Sequence, residues 1–329
     1  MQSNYRLNML KKLLKVLLSL LLLVSILMLA GFIWQEYSLS RDKKNHPYPG
    51  QLVTINGRNM HLQVQGKAVT GIPTIVLIGG LGATSPTWTY IQSQLKNSTR
   101  VVSFDRPGYG WSDASNQPRD GKTIARELHD MLEKAGIAGP YVIVAHSLGG
   151  LYGRIFASEY AAETAGLVLI ESTHPDQFTR TAAGRNELQS ILKNLGIARV
   201  AAKFGFMRLN NMCKLPLAFP EKEAGDIQSF CAGNTNWQTE YDEMKIIPIT
   251  MQQAKNATLP AGMPILAISA GNHLKADSTW GIFQQELSGL TTHTKATVLP
   301  AANHVSVWTN FDDASKTAVL IAAFITKNG

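Results

Sequence analysis

Cysteine is nearly absent from this sequence: Cys213 and Cys231 are the only two in 329 residues. A disulfide-built scaffold is therefore excluded, and so is a structural zinc module, because no Cys/His spacing of the metal-ligand kind occurs. Charge is also scarce, at 16% of residues against 45% hydrophobic, which excludes a disordered chain. No segment is low in complexity, and no internal period repeats. The formal charge of +8 is the one surplus, and Arg6, Lys11, Lys12 and Lys15 supply half of it ahead of a long apolar run. Setting those four aside leaves 27 basic against 23 acidic side chains. No tract interleaves basic and aromatic residues, so a nucleic-acid partner is excluded as well. The length suits one large domain, or a core with an insertion.

Residues 16–35 carry no formal charge and are mostly Leu, Val, Ile and Met, interrupted by Ser19 and Ser25. A helix of that length, at about 1.5 Å per residue, matches a hydrocarbon layer of about 30 Å. Positive charge precedes the run and mixed charge follows it, which predicts a single-pass membrane protein with a cytoplasmic N-terminus and the bulk of the chain on the outer side. A cleaved signal peptide is the rival reading. However, its apolar region is ordinarily shorter, and Ala30-Gly31 is followed by Phe32, Ile33 and Trp34 rather than by a small-residue site. Trp34 and Tyr37 fall where aromatic side chains mark the outer interface. No cysteine stands nearby for a lipid anchor.

The organisation predicted is a cytoplasmic tip and anchor at 1–37, a linker at 38–50, a core of 51–172 with 262–329, and an insertion at 173–261. Residues 51–55, Asn56-Gly57, and the alternation through Met60, Leu62 and Val64 predict a hairpin. Short apolar runs follow at 74–78, 101–104, 141–145, 167–170, 265–268 and 296–299, separated by helical periodicity such as Ile124, Leu128, Met131 and Leu132. Strands apolar throughout, alternating with helices, predict an α/β fold with a mostly parallel sheet covered on both faces. The insertion breaks this alternation and is expected to lie as a lid over the sheet's C-terminal edge, where open α/β sheets bind ligands. Both cysteines lie in it. They are either a disulfide or two buried thiols, according to the side of the membrane on which the domain folds.

The densest chemistry is in Tyr141-Val-Ile-Val-Ala-His-Ser147-Leu-Gly-Gly150. An apolar strand runs directly into a serine between small residues, and a helical stretch (151–160) follows. This is the setting of a nucleophile elbow, in which a sharp turn lifts the hydroxyl off the sheet. The Leu148 N–H then faces the site where an oxyanion forms. A second donor is expected from Leu81, in the Gly79-Gly80-Leu81-Gly82 loop after the strand at 74–78. A serine nucleophile needs a histidine base and an acid to orient it, in the chain order Ser, acid, His. Of His174, His273, His293 and His304, only His304 follows the last strand run, across Pro300 to Asn303 and before a helix at 314–324. For the acid, Glu171 ends the run at 167–170 and is preferred. Asp277 stays open as the alternative, although its place before Ser278-Thr-Trp280 also suits a helix cap.

The stretches IGGLGATSPTW, SFDRPGYGWSD, VIVAHSLGG, GLVLIESTHPDQ and LPAANH, taken in register, resemble the α/β-hydrolase superfamily over about residues 50–329. The first and third resemble its oxyanion loop and elbow, and residues 105–112 resemble a loop that shapes its pocket floor. In many members the acid follows the strand that here contains 265–268, at a place this sequence fills with Leu274. In others, such as haloalkane dehalogenases, it follows the strand that here ends at Glu171. Those attack through an aspartate, so Ser147 disfavours dehalogenation. Gly79, often histidine in the family, and Ala145, usually glycine, are departures from its pattern. The resemblance implies a serine hydrolase acting on an ester or related acyl bond of a small-molecule or lipid-like substrate, with no cofactor and no metal. Acyl transfer or peptide cleavage on the same residues is an alternative, and so is a non-catalytic binding module at the membrane. Apolar residues of the insertion (Ile191, Leu192, Leu195, Phe204, Phe206 and Met207) either line a pocket or pack on the core.

Overall fold

The computed structural model describes residues 2–209, 213 and 219–327. The apolar runs become strands, as aliphatic segments without polar alternation do when both faces are buried. They form β3 (Thr74–Ile78), β4 (Val101–Phe104), β5 (Tyr141–His146), β6 (Thr164–Ile170) and β7 (Ile265–Ala270), of which β3, β4, β5 and β7 are buried at every position. The predicted hairpin is β1 (Gln51–Ile55) and β2 (Arg58–Gln65). Asn56 and Gly57 both take positive φ, at 49° and 77°, which matches the twist a two-residue turn must follow. At the far edge β8 (Thr294–Leu299) exposes Lys295, a charge that blunts an otherwise free strand edge. The eight strands form one sheet in the order β1-β2-β4-β3-β5-β6-β7-β8, parallel from β4 onward. β2 is antiparallel to both its neighbours.

Helices cover both faces. On one side lie α3 (Gly121–Lys134) and α4 (Gly149–Glu159), which bury Ile124, Leu128, Tyr152 and Phe156. On the other lie α2 (Thr89–Leu95) and α12 (Phe311–Lys327), which bury Ile91, Leu95, Ile321 and Phe324. The start of α3 is fixed by Asp120, whose side chain accepts hydrogen bonds from the Lys122 and Thr123 N–H groups. Between β6 and β7 the insertion folds as α5 (Ala182–Lys203), α6 (Phe206–Leu209), α7 (Glu221–Ala232) and α8 (Asn234–Asn256). Three short helices complete the C-terminal edge: α9 (Gly271–Ala276), α10 (Ser278–Leu287) and α11 (Ser306–Thr309). Cys213 and Cys231 are joined by a disulfide within the insertion.

The N-terminal helix α1 (Gln2–Asn45) corrects one expectation. Residues 38–50, predicted as a linker, are helical as far as Asn45. No proline or glycine interrupts them before Pro47, and Gln35 and Ser38 are buried against the rest of the chain. Tertiary contact, which the polar composition of the stretch does not announce, carries the helix onward. The apolar part of α1 is long and hydrophobic enough to cross a membrane, and its most apolar window is 0% buried.

Candidate active site

β5 delivers Ser147 to the C-terminal edge of the sheet, and α4 begins two residues later. Ser147 has φ of 53°, a region that L-residues occupy only when the surroundings enforce it. Two hydrogen bonds do so: Ser147 N donates to Ile170 O (3.1 Å), and Thr173 N donates to Ser147 O (3.0 Å). The small neighbours have a steric cause. A Cβ on Gly149 would strike the Ile78 and Gly79 carbonyls, and one on Gly150 would strike the Ser172 side chain. Ala145 departs from glycine without difficulty because it faces Gly153 of α4, the residue whose missing side chain leaves the room.

His304 follows β8, and its Nε2 lies 3.0 Å from Ser147 Oγ. Its Nδ1 lies 3.2 Å from Glu171 Oε2. Glu171, fully buried at the end of β6, also has positive φ (48°), which turns its carboxylate toward the loops after β7 and β8. There the Ala270 N–H donates to Oε1 (2.7 Å), while His273 Nδ1 (2.6 Å) and Trp280 Nε1 (3.1 Å) meet Oε2. Burial alone would raise the pKa of this carboxyl. The hydrogen bonds from His273, His304 and Ala270 outweigh burial and hold it down at about 2. The structure therefore brings Ser147, His304 and Glu171 together. Asp277 is in the same cavity wall, but its carboxylate accepts from the Thr279 (2.8 Å) and Trp280 (3.1 Å) N–H groups and caps α10.

His146 braces His304 from behind. Its Nε2 is 2.8 Å from the His304 carbonyl oxygen, and its ring packs on Trp308. A carbonyl only accepts, so Nε2 carries the proton. Burial, followed by the nearby His304, depresses the His146 pKa to about 3 and keeps the ring neutral. Its Nδ1 is then a bare acceptor, and it has no partner among the described residues.

The loop after β3 approaches Ser147 so closely that a Cβ on Gly80 would sit 2.9 Å from the Ser147 Cβ. Arg106 fixes this loop from beneath: its guanidinium donates to Gly79 O (2.7 Å) and Gly80 O (2.9 Å). Those two bonds tie the glycine loop to the floor of the site. Leu81 and Leu148 both line the cavity, and neither backbone N–H has a hydrogen-bond partner among the described residues. Arg106 is itself clamped by Glu243 of α8, through Nε (2.8 Å) and a second nitrogen (2.9 Å). Burial pulls the guanidinium pKa down, but Glu243 more than compensates, so Arg106 is held charged.

Two cavities meet at Ser147. One, of about 570 Å³, runs under α5 and α10 and is lined by Phe178, Ile191, Trp280 and Phe283. The other, of about 420 Å³, opens on the far side of His304 and is lined by Phe230, Trp237, Glu240 and Trp308. Glu240 presses on Gly82 and has no hydrogen-bond partner among the described residues. Burial, reinforced by the Glu243 charge, raises its pKa to about 8. Of the apolar insertion residues singled out in the sequence, Ile191 lines the first cavity, whereas Leu195 and Met207 are buried in packing. Among the described residues, Glu171, His273 and His304 are the group whose donor atoms converge as metal ligands do, within 4.8 Å. Hydrogen bonds through Glu171 Oε2 already account for that convergence.

Sequence reasoning missed Arg106, Glu243, His273, Trp280 and Glu240. A charged residue beside the Pro-Gly turn of Asp105-Arg106-Pro107-Gly108 was a signal for the first. The others come from the insertion and the loop after β7, where no pattern ties them to the elbow.

Comparison with known proteins agrees with this architecture. A family model described as the alpha/beta hydrolase fold matches residues 73–190. An uncharacterized protein of Schizosaccharomyces pombe is 27% identical over 300 residues, covering 80% of this chain and 54% of its own length. The chain thus spans about half the length of the curated relatives it matches first. Among solved structures, the Cif epoxide hydrolase from Acinetobacter nosocomialis superposes with a TM-score of 0.66 at 16% identity, covering 88% of this chain and 96% of that one. A putative lipase from Acinetobacter baumannii gives 0.64 at 19%, covering 90% and 97%. The chain therefore has the alpha/beta hydrolase fold.

Proposed function

We propose that this α/β hydrolase is a serine hydrolase that cleaves an ester or related acyl bond through an acyl-enzyme. The observation that carries the reading is the continuous path Ser147 Oγ, His304 Nε2, His304 Nδ1, Glu171 Oε2, with steps of 3.0 and 3.2 Å across the ring. Ser147 Oγ attacks the acyl carbon and its proton passes to His304 Nε2. The charge that develops on the carbonyl oxygen is met by the Leu81 and Leu148 N–H groups, each such donor contributing about 3–4 kcal/mol to barrier lowering. His304 then protonates the leaving oxygen. Water, activated by the same nitrogen, attacks the acyl-enzyme and returns the proton to Ser147. Glu171 stays ionised throughout, since hydrogen bonds hold its pKa at about 2, and it balances the transient imidazolium.

The two cavities on either side of Ser147 support a substrate with two substantial arms, one for the acyl part and one for the leaving group. Their mainly apolar walls favour a lipid-like acyl compound. The exposed apolar face of α1 supports a membrane span, and the four cationic residues ahead of it support a cytoplasmic N-terminus. The Cys213–Cys231 disulfide is consistent with a catalytic domain on the oxidising, outer side.

The test is labelling with a fluorophosphonate. The full chain is expected to take up one equivalent at Ser147, and Ser147→Ala none. A folded wild-type protein that resists labelling overturns the reading.

A further inference from the structure

The end of α1 is not a tether, because the insertion is bolted to it. A Cβ on Gly31 would lie 2.7 Å from Phe204 O, and one on Gly205 would lie 2.7 Å from the Trp34 ring. Such approaches are made only where glycine leaves the backbone bare. Arg208 donates through Nε to Gln35 Oε1 (2.7 Å) and through a terminal nitrogen to Asp42 Oδ2 (2.6 Å). Gln35 is fully buried, and its amide nitrogen donates to Ala232 O (2.9 Å). Further along, His46 Nδ1 meets Asp226 Oδ1 at 2.8 Å. These contacts join one face of α1, from Gly31 to Asp42, and His46 just beyond its end, to α6, α7 and the turn after α5.

This register fixes a depth. Gly31 lies four residues inside the charge-free run that ends at Gln35, which places it about 6 Å inside the end of that run. The Phe204-Gly205 turn touches α1 at that level. Lipid surrounds the span wherever protein does not, so whatever flanks this turn meets lipid too. The side chains beside it are apolar and uncovered: Val200 is 49% exposed, Phe206 44% and Leu209 63%. Scattered exposed apolar residues are ordinary on a soluble surface. Here they cluster where the insertion meets the apolar helix.

We propose that the α5–α6 turn, residues 200–209, is seated in the outer interface of the same bilayer, as a second membrane contact beside the span. The inference rests on the reading of α1 as a membrane span. Burying apolar side chains in the headgroup and acyl boundary is what interfacial segments do. α5 reaches from this turn to the larger cavity, where Ala183, Glu187 and Ile191 line the wall. One wall of the site is thereby continuous with the membrane surface, and lipids of the outer leaflet are the nearest source of acyl substrate.

The test uses the full chain in proteoliposomes. Its two native cysteines are paired, so an introduced cysteine is the sole free thiol. A fluorophore sensitive to polarity is attached to Leu22→Cys, Val200→Cys, Phe206→Cys or Val319→Cys, and lipids carrying a nitroxide near the headgroup or deeper in the chain serve as quenchers. Val319, on α12, is 68% exposed and serves as the aqueous control. The expected result is at least twofold quenching at 200 and 206 by the shallow nitroxide, quenching at 22 by the deep one, and none at 319. Quenching at 22 without any at 200 and 206 overturns the seated turn and leaves the span standing. No quenching at 22 overturns the span, and the seated turn with it. Shielding at 206 that depends on protein concentration and not on the nitroxide assigns the surface to a second copy of the chain, which also overturns the proposal.

Discussion

Replacing Glu171 by glutamine separates the two acids that the sequence left in competition. The wild-type carboxylate receives four donors: the Ala270 N–H on Oε1, and His273, His304 and Trp280 on Oε2. An amide of the same size has one oxygen and one NH₂ group. Whichever way it turns, a donor faces a donor in a fully buried place, at a cost of about 1–3 kcal/mol. Loss of the charge adds a second effect. Glu171 is held at about 2 against an ordinary 4.5, a difference that corresponds to about 3 kcal/mol of stability. The folded pKa is depressed, so this contribution is fully present above pH 4.5 and is lost as pH falls from there toward 2. Urea unfolding at pH 7 and at stepwise lower pH is expected to show Glu171→Gln less stable at neutrality and with a flatter acid limb. Acylation should suffer more than stability: removing the orienting acid of a serine triad lowers turnover by about ten-thousand-fold, measured here as the burst rate with an activated ester. Asp277→Asn is expected to change that rate by less than about threefold and to leave stability nearly unchanged, because asparagine caps a helix about as well as aspartate. A Glu171→Gln protein within tenfold of wild type, or an Asp277→Asn protein slowed to the same degree, refutes the assignment.

Two further substitutions probe the surroundings of the site. Arg106→Met frees the Gly79 and Gly80 carbonyls and leaves the buried Glu243 without its ion-pair partner, with the Tyr109 hydroxyl still donating to it, so stability should fall by about 3–5 kcal/mol. Of the activity that remains, kcat should drop more than KM rises; an unchanged kcat would count against Arg106 as the residue that positions the oxyanion loop. Glu240→Gln addresses the carboxyl raised to about 8. A raised carboxyl pKa means that the folded state loses stability as pH rises from 4.5 toward 8, because the unfolded chain ionises first. The amide should therefore leave stability near pH 5 little changed and gain about 4 kcal/mol at pH 8, read by urea unfolding at the two values. Equal gains at both would refute the raised pKa of this carboxyl.

Legibility in the sequence followed the range of the interactions that decide each feature. The central strands were readable because burial on both faces leaves an uninterrupted aliphatic run, and β3 and β4 match their predicted bounds. The elbow was readable because its signature is local, a strand, a serine and glycines, even though the groups those glycines admit, Ile78 and Ser172, come from elsewhere in the chain. His304 was singled out by chain order together with its place after the last strand run and before the final helix. The linker at 38–50 misled because its polar residues look solvated, whereas contacts with the distant insertion extend the helix to Asn45. Arg106 and Glu243 lie 137 residues apart, and nothing in either neighbourhood announces the other.

The acid shows most clearly where sequence reasoning stops and geometry begins. The sequence offered a carboxylate at the end of one strand and another farther on, after the next; Asp277 lines the cavity, whereas Glu171 lies fully buried behind it. What separates them is a backbone turn at Glu171, with φ of 48°, and the company it finds there. His273 and Trp280, 102 and 109 residues downstream, reach back to the same oxygen as His304. A buried carboxylate is costly unless several donors meet it. Those donors come from β7, α9, α10 and the loop after β8, so they assemble only once the last three strands are in register. Asp277 is spent on the Thr279 and Trp280 N–H groups within its own turn, and that local use holds Trp280 where Glu171 needs it. The two candidates are thus parts of one arrangement, in which the cap of α10 helps to place a donor on the buried acid.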